Sequence, residues 1–254
     1  MLKIDAIPAY SDNYIWLIQF GDRQAAVVDP GDARPVLQTL NQRGLRLTSI
    51  LVTHTHWDHI NGIEELLHHA QVPVYGPARE QQKHLTHPCV EGDRISLEDL
   101  ELTILDVPGH TAGHIAFLGH NALFCGDTLF GAGCGRLLGG TAAQLYDSLK
   151  KINKLPISTN ICCAHEYTLA NLKFAQAVEP GNGNIAQRRI EDEEKRHQGR
   201  PTLPSTLQIE LQTNPFLRCH VKEVIASAEH FAGKKLNSET EVFKTLRYWK
   251  DTFS

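Results

Sequence analysis

The sequence predicts an α+β protein: a mixed β-sheet core with helices on its outside, followed by a small all-helical domain. Three observations support this prediction. Short apolar segments alternate with Gly and Pro over the first two thirds of the 254 residues. Stretches with the apolar spacing of helices lie between those segments. After Cys163 no convincing strand pattern appears, and charged helical stretches take over. We therefore place the domains at residues 1–166 and 167–254.

The elements of the first domain follow from local patterns. Apolar runs bounded by turn residues predict strands at 14–20, 25–28, 50–52, 100–107, 114–118, 122–125 and 160–163. Apolar residues spaced along one face predict helices at 34–42, 63–70 and 142–152. Strands interspersed with such helices predict a sheet core that is covered by helices on its outer faces.

The second domain contains two signals for the start of a helix. Residues 205–208 and 238–241 both match the capping box, in which two side chains satisfy backbone amides reciprocally. In the last predicted helix, Val242, Leu246, Trp249 and Phe253 recur at helical spacing and form one apolar stripe. This stripe must pack against another element.

Composition narrows the possible partners. A formal net charge of -4 provides no broad positive field for nucleic acid or an anionic membrane. The N-terminus lacks the long apolar segment of a signal peptide, and no run reaches the length of a membrane span. The six cysteines show no CxxC spacing and are expected to be reduced, structural thiols. We expect a cytoplasmic protein and a monomer, with neither nucleic acid nor membrane as its partner.

The segment Thr53-His-Thr-His-Trp-Asp-His59 contains the densest group of candidate metal ligands. Alternate residues of an extended chain share a side, so His54 and His56 can face one ion while Thr55 faces away. Asp58 and His59 follow as the chain turns toward the next helix. The segment therefore predicts two adjacent ions, with one pair of ligands for each.

Three further strand-like runs also end in a potential ligand: His110 after 105–107, Asp127 after 122–124 and His165 after 161–163. Such endings indicate one edge of a sheet that furnishes a single site. The glycines that precede His110 and Asp127 allow the backbone to turn sharply and to approach the ions closely.

We assign the ligands to two ions. The first ion receives His54, His56 and His110; the second receives Asp58, His59 and His165. Asp127 bridges them, because a carboxylate has two oxygens. Asp58 and Asp127 are also the candidate catalytic residues. Five neutral imidazoles and two carboxylates leave a net positive charge on two divalent ions, which lowers the pKa of a shared water toward ~7.

The ligand set suits zinc, and it would also accept iron or manganese. Asp29, which ends the 26–28 run, is a candidate for orienting a ligand histidine, and a plain Asp-Pro-Gly turn is an equal alternative. His114 is a candidate for a similar role or for a satisfied core histidine.

These residues resemble the metallo-β-lactamase superfamily, which implies an αββα sandwich with the ions at the edge of the sheets. Further stretches resemble the glyoxalase II (hydroxyacylglutathione hydrolase) family within it: 125–130, 133–136, 164–168, 171–174, 201–207 and 214–216. The resemblance runs from end to end and includes the helical domain.

The resemblance implies hydrolysis of S-D-lactoylglutathione to D-lactate and glutathione, the second step of methylglyoxal detoxification. Hydroxide formed at the ions would attack the thioester carbonyl, and the thiolate would leave without a separate general acid. The resemblance also implies substrate contacts by Arg136, Tyr167, Arg247 and Lys250. Without it, Arg247 and Lys250 would be interpreted as a solvated helix face, distinct from the apolar stripe.

Other functions remain open at this point. A hydrolase of the same fold could act on a lactone, a β-lactam or a phosphodiester, although a ribonuclease would be expected to carry an extended basic surface. A diiron oxidoreductase commonly has glutamate at the position of His56, and a persulfide dioxygenase needs only one iron. A non-catalytic metal module would ordinarily show closed, Cys-rich coordination.

Overall fold

The structure is a computed structural model that describes residues 2–253. The chain forms two compact units whose segments alternate along the sequence. The first unit comprises the residues up to Asp106, Gly113–Gly126 and Cys162–His165. The second unit comprises Val107–Ala112, Asp127–Ile161 and the chain from Glu166 onward. The division of the chain at 166/167 remains a prediction about domains.

The first unit contains a six-stranded sheet in the order β1-β2-β3-β4-β5-β6. Its elements are β1 (Lys3–Ala9), β2 (Asn13–Phe20), β3 (Gln24–Val28), α1 (Ala33–Arg43), β4 (Arg46–Leu51), α2 (Trp57–Ile60), α3 (Ile63–His69), β5 (Val74–Pro77) and β6 (His87–Cys89). The first three strands are antiparallel, and β3 to β6 are parallel. The carboxyl ends of β3, β4 and β5 therefore lie at one edge.

This sheet is buried on both faces, as the side chains of β2 show. Ile15 and Leu17 belong to a core cluster that also contains Val36 of α1 and Leu66 of α3. Trp16 points to the other side, where its ring lies 6.4 Å from that of Phe124. Helices therefore cover one face of the sheet, and a second sheet covers the other.

The second sheet has the order β14-β13-β10-β9-β8-β7. Its strands in the first unit are β7 (Arg94–Leu97), β8 (Leu100–Asp106), β9 (Ile115–Gly119) and β10 (Ala122–Gly126). The strand β13 (Asn160–Cys163) runs from the second unit into the first. The two-residue strand β14 (Ser205–Thr206) pairs with its first residues, in the second unit.

The second unit is mainly helical outside a small hairpin. Its remaining elements are β11 (Leu129–Phe130), β12 (Gly133–Cys134), α4 (Ala142–Ile152), α5 (Thr168–Val178), α6 (Gly183–His197), α7 (Leu207–Thr213), a 3-10 helix (Pro215–Leu217), α8 (Lys222–Ala232) and α9 (Glu239–Thr252). Phe174 packs edge-on against Trp249 and Phe253 at ring distances of 5.3 Å. The apolar stripe predicted for the last helix thus packs against α5.

The two predicted helix starts differ in outcome. Ser238 caps α9 as predicted, because its side chain accepts the backbone N–H of Glu241. The prediction at 205–208 is wrong by one residue: Thr206 caps α7 by accepting the N–H of Ile209. Ser205 instead donates its hydroxyl to Glu210 and pairs with β13. Ser205 is therefore part of a strand and does not cap the helix.

All six cysteines of the sequence are buried and carry free thiols in the part of the chain that is described. Between residues 2 and 253, no helix is both long and apolar enough to cross a membrane.

Candidate metal centre

The carboxyl edge of the first sheet gathers polar residues from two adjacent strands. Asp29 follows β3 directly, and Thr53 and His54 lie just beyond the end of β4. Because these strands are parallel and Val28 pairs with Leu51, both segments emerge at the same edge. Asp29 accepts the backbone N–H of Thr53 at 2.7 Å and its hydroxyl at 2.7 Å, which ties the two segments together.

His54 and His56 face each other as the alternation of an extended chain predicts. Nε2 of His54 lies 3.0 Å from Nδ1 of His56, a separation at which both nitrogens can contact one ion. Thr55 points elsewhere, and its N–H and hydroxyl both donate to Glu80. The sequence motif thus produces a two-nitrogen pair at this edge.

Asp58, His59 and His165 form a second group. Oδ2 of Asp58 lies 3.5 Å from Nε2 of His59 and 3.5 Å from Nε2 of His165. The ligand atoms of the three residues all lie within 4.8 Å of one another. Asn13 donates its side-chain amide to Oδ2 of Asp58 at 3.0 Å and forms a β-bridge with His165, so it links two members of the group.

Hydrogen bonds decide which ring nitrogen these histidines can offer to an ion. Nδ1 of His59 lies 3.1 Å from a carboxylate oxygen of Asp29, and Nδ1 of His165 lies 2.8 Å from one of Asp12. A carboxylate only accepts, so each Nδ1 carries the proton and each Nε2 keeps its lone pair. Both Nε2 atoms face Asp58, as metal binding there requires.

The same logic applies to His54 through a hydroxyl. Thr53 donates its hydroxyl hydrogen to Asp29 at 2.7 Å, so its oxygen must accept from Nδ1 of His54, 3.2 Å away. Nε2 of His54 therefore presents its lone pair on the side of His56. Asp29 thus orients His59 directly and His54 through Thr53, and it is more than a turn residue.

His114 is fully buried against His54. Their rings stack 4.6 Å apart at an interplanar angle of 19°, and Nδ1 of His114 lies 3.0 Å from the carbonyl oxygen of Ile115. Gly126, with φ of +46°, leaves room for this arrangement, since a Cβ there would lie 2.9 Å from His114 and 2.2 Å from Thr53. His114 therefore supports the ring of His54 from behind.

In the second unit, His110 and Asp127 lie side by side. Nε2 of His110 is 3.4 Å from Oδ2 of Asp127, and its Nδ1 donates to the carbonyl oxygen of Arg136 at 2.8 Å. Gly109 has φ of +147° and Gly126 has φ of +46°, as expected for glycines that precede these ligands. His110 thus presents Nε2, as His59 and His165 do.

The donor set fits divalent ions of borderline softness. It consists of imidazole nitrogens with fixed lone pairs and carboxylate oxygens, with no thiolate among them.

The sequence patterns did not identify Asp12, Asn13 or Thr53 as the residues that support these ligands. Asp12 and His165 are 153 positions apart, so no local pattern could join them.

The candidate substrate-binding residues lie in the second unit, and their environments differ. The Arg136 side chain is 73% exposed and lies 3.9 Å from Asp251. Tyr167 is partly exposed at 37%, and its ring packs edge-on against Phe130. Lys250 is half-buried; burial lowers the pKa of its ammonium group, and the positive charges of Arg247 and Arg136 lower it further.

Arg247 requires a correction. It is only 5% exposed and is buried together with Val242 and Leu246, so it does not lie on a solvated face distinct from the apolar stripe. It donates to the carbonyl oxygen of Cys134 at 2.8 Å and to Asp251 at 3.0 Å. The guanidinium can be buried among these apolar neighbours because it donates to a backbone carbonyl there.

The fold and the ligand groups define the class of the protein. Residues 11–88 and 90–165 match the model of the metallo-β-lactamase superfamily, and the chain belongs to it. Residues 166–253 match the model described as hydroxyacylglutathione hydrolase C-terminus. Within the superfamily, the chain belongs to the hydroxyacylglutathione hydrolase family, as its full-length relatives show.

Relatives along the full length support this placement. A hydroxyacylglutathione hydrolase of Nitrosomonas europaea is 49% identical over 100% of this chain and 97% of its own. One of Alkalilimnicola ehrlichii is 52% identical over 99% of each chain. Among solved structures, ETHE1 of Myxococcus xanthus has a TM-score of 0.67 at 25% identity, covering 97% of this chain and 89% of its own. The predicted fold class is thereby confirmed.

Proposed function

We propose that this chain hydrolyses the thioester of S-D-lactoylglutathione to D-lactate and glutathione, the second step of methylglyoxal detoxification, at a centre of two divalent ions. The observation that carries the proposal is the full-length similarity to hydroxyacylglutathione hydrolases, which includes the helical C-terminal part. The superfamily match alone would leave the substrate open, because it covers only residues 11–88 and 90–165.

The proposed ligands are His54, His56 and His110 for the first ion, Asp58, His59 and His165 for the second, and Asp127 as the bridge. The orientation of the lone pairs on His54, His59, His110 and His165 supports this assignment. Zinc is the proposed metal, with iron or manganese as substitutes. Two such ions would lower the pKa of a shared water toward about 7 and polarise the thioester carbonyl.

The protein's own residues orient the reactants. Asp58, held by Asn13, and Asp127, beside His110, are the proposed catalytic carboxylates, which accept hydrogen bonds from the nucleophilic water. The leaving thiolate has a conjugate-acid pKa of about 8.5, so it departs without protonation by a side chain. This agrees with a site that offers imidazoles and carboxylates but needs no separate acid.

Substrate recognition is assigned to cationic side chains, because glutathione carries two carboxylates. Arg136 and Lys250 are the proposed direct contacts, with Tyr167 beside them. Arg247 contributes its charge from a buried position, since it already donates to Cys134 and Asp251.

The buried free thiols agree with a reducing compartment, and the proposal places the enzyme in the cytoplasm as a monomer.

The test is release of thiol from S-D-lactoylglutathione by protein that has been loaded with zinc, stripped with a chelator or reloaded. Activity on the thioester is expected to be lost on stripping and restored on reloading. A lactone, a phosphodiester and a lactoyl thioester of a thiol other than glutathione serve as controls. Faster hydrolysis of any control, or thiol release that survives complete removal of metal, would contradict the proposal.

A further inference from the structure

The carboxyl edge of the first sheet receives a third segment that the metal assignment does not use. β5 is parallel to β4 and adjacent to it, and the N–H of Val52 donates to the carbonyl of Tyr75 at 2.8 Å. The chain leaves β5 at Pro77 and reaches Glu80 three residues later. Glu80 therefore lies at the same edge as His54 and His56.

A single carboxylate oxygen of Glu80 holds Thr55 twice. Oε2 accepts the backbone N–H of Thr55 at 2.7 Å and its hydroxyl at 2.8 Å. Thr55 is the residue between His54 and His56, whose ring nitrogens lie 3.0 Å apart. Because both peptide units of Thr55 lead directly to a histidine, fixing Thr55 restricts the backbone from which both rings project.

Glu80 is itself confined by its surroundings. A Cβ at Gly113 would lie 2.6 Å from Cγ of Glu80 and 3.2 Å from the carbonyl carbon of Arg79. The Arg79 guanidinium lies 3.1 Å from the Asp106 carboxylate, which anchors the same segment. The stem of Glu80 therefore lies against the backbone of Gly113, and the ion pair of Arg79 with Asp106 makes a further contact of the same segment.

We propose that Glu80 is a positioning residue for the ion that His54 and His56 share, acting as a two-bond clamp on Thr55. The two hydrogen bonds keep both imidazoles on one side of the extended segment. Fewer conformations of this segment are then lost when an ion binds. Glu80 does not touch substrate or the reacting atoms. The proposal rests on the proposed two-ion function.

The experiment is a titration of metal-free protein with Zn²⁺ against a chromophoric chelator, which yields two binding constants per chain. In E80A one constant is expected to weaken by about 10- to 100-fold, the usual effect of losing a group that supports a ligand, while the other is unchanged. E80Q retains an oxygen that can accept both bonds and is expected to recover most of the affinity. E64A is the matched control, because the Glu64 side chain is 56% exposed and pairs with Lys83 and His84, which are not among the proposed ligands.

Each outcome decides the proposal. Wild-type affinities for both ions in E80A would overturn it, and so would an E80Q variant as weak as E80A, because the carboxylate would then act through its charge. If E80A does not fold, the test uses Thr55→Val, which removes only the hydroxyl hydrogen bond. This variant must then weaken one of the two zinc-binding constants and leave the other unchanged. Wild-type protein that binds no zinc would refute the proposed function itself, a separate result.

Discussion

Four of the five histidines proposed as ligands use the same ring nitrogen, Nδ1, to donate a hydrogen bond to the protein. Nδ1 donates to Thr53 in His54, to Asp29 in His59, to the carbonyl of Arg136 in His110 and to Asp12 in His165. Each acceptor fixes the tautomer and the ring angle, so Nε2 is ready to bind an ion without prior reorganisation. His56 is the exception, since it turns Nδ1 toward His54.

Arg247 and Lys250 lie three residues apart on α9, yet they occupy different environments. Arg247 is nearly fully buried and bonds to Cys134 and Asp251, so its removal leaves the Cys134 carbonyl without that donor. Lys250 is half-buried, with its ammonium 5.8 Å from the centre of the Phe174 ring. These environments fit Arg247 for holding α9 in place, and Lys250 stays the proposed substrate contact of the pair.

Replacing Lys250 by alanine is expected to raise KM for S-D-lactoylglutathione with little change in kcat or in the melting temperature. In the wild type, KM is expected to rise with pH. The pKa of Lys250 is lowered by burial, so its charge is present below that pKa and lost as pH rises through it, earlier than for an exposed lysine.

The measurement is the pH profile of KM for wild type, K250A and K250R. Arginine stays charged throughout the range, so K250R should not show the rise. An identical rise in K250R would assign the effect to another group. R247A is the comparison variant and is expected to lose stability as well as affinity.

At the scale of elements, glycines allow the backbone of the His110 segment to lie against a helix. α4 begins with a complete capping box formed by Thr141 and Gln144. Gly109 packs onto its first turn, where an added Cβ would lie 2.4 Å from Cα of Leu145 and 2.7 Å from its backbone nitrogen. Rotation of a side chain cannot relieve this contact, because these atoms belong to the main chain.

Gly109→Ala is therefore expected to lower the free energy of unfolding by about 1–3 kcal/mol, the usual cost of overpacking, and to weaken zinc binding by moving His110. Urea unfolding and zinc titration measure the two effects. Gly92→Ala is the control, because Gly92 also has a positive φ, of +85°, but has no atom within 4 Å of a Cβ. Equal losses in both variants would show that backbone strain, and not contact with α4, causes the effect.

At the scale of the whole molecule, metal binding should couple to folding. The ligand groups bring buried imidazoles and carboxylates together, and only the folded chain assembles them. An ion that binds the folded state alone stabilises it by about 4 kcal/mol when its free concentration is a thousand times Kd. The melting temperature is therefore expected to rise with added zinc and to fall on chelation.

Differential scanning calorimetry at several zinc concentrations provides the measurement. A variant that lacks His59, a member of the Asp58 group, should show a smaller increase than the wild type. A melting temperature that does not respond to zinc or to chelator in the wild type would exclude a tightly bound ion in the folded protein. Cys89 and Cys134 keep their protons at neutral pH in this experiment, because burial raises the pKa of each thiol to about 11.

The structure contains strands that the sequence patterns did not predict. The segments predicted at 160–163 and 142–152 coincide with β13 and α4. β5 and β6, in contrast, were not predicted: Gly76 and Pro77 interrupt the apolar pattern of β5, and β6 has only three residues. Each of these strands is held by its parallel neighbour. Glu80 was overlooked for the same reason, since its position depends on the unpredicted strand β5.

By itself the sequence determined the fold class, the family and the local ligand motif, because hydrophobic periodicity and contiguous motifs are properties of neighbouring residues. The opposed nitrogens of His54 and His56 follow from alternation in an extended chain. Only the tertiary structure decided the partners that set each ring: Asp12 meets His165 across 153 positions, and Glu80 meets Thr55 across 25. It also decided the burial of Arg247. These contacts depend on which strands and helices come together, and that pairing leaves no local trace in the chain.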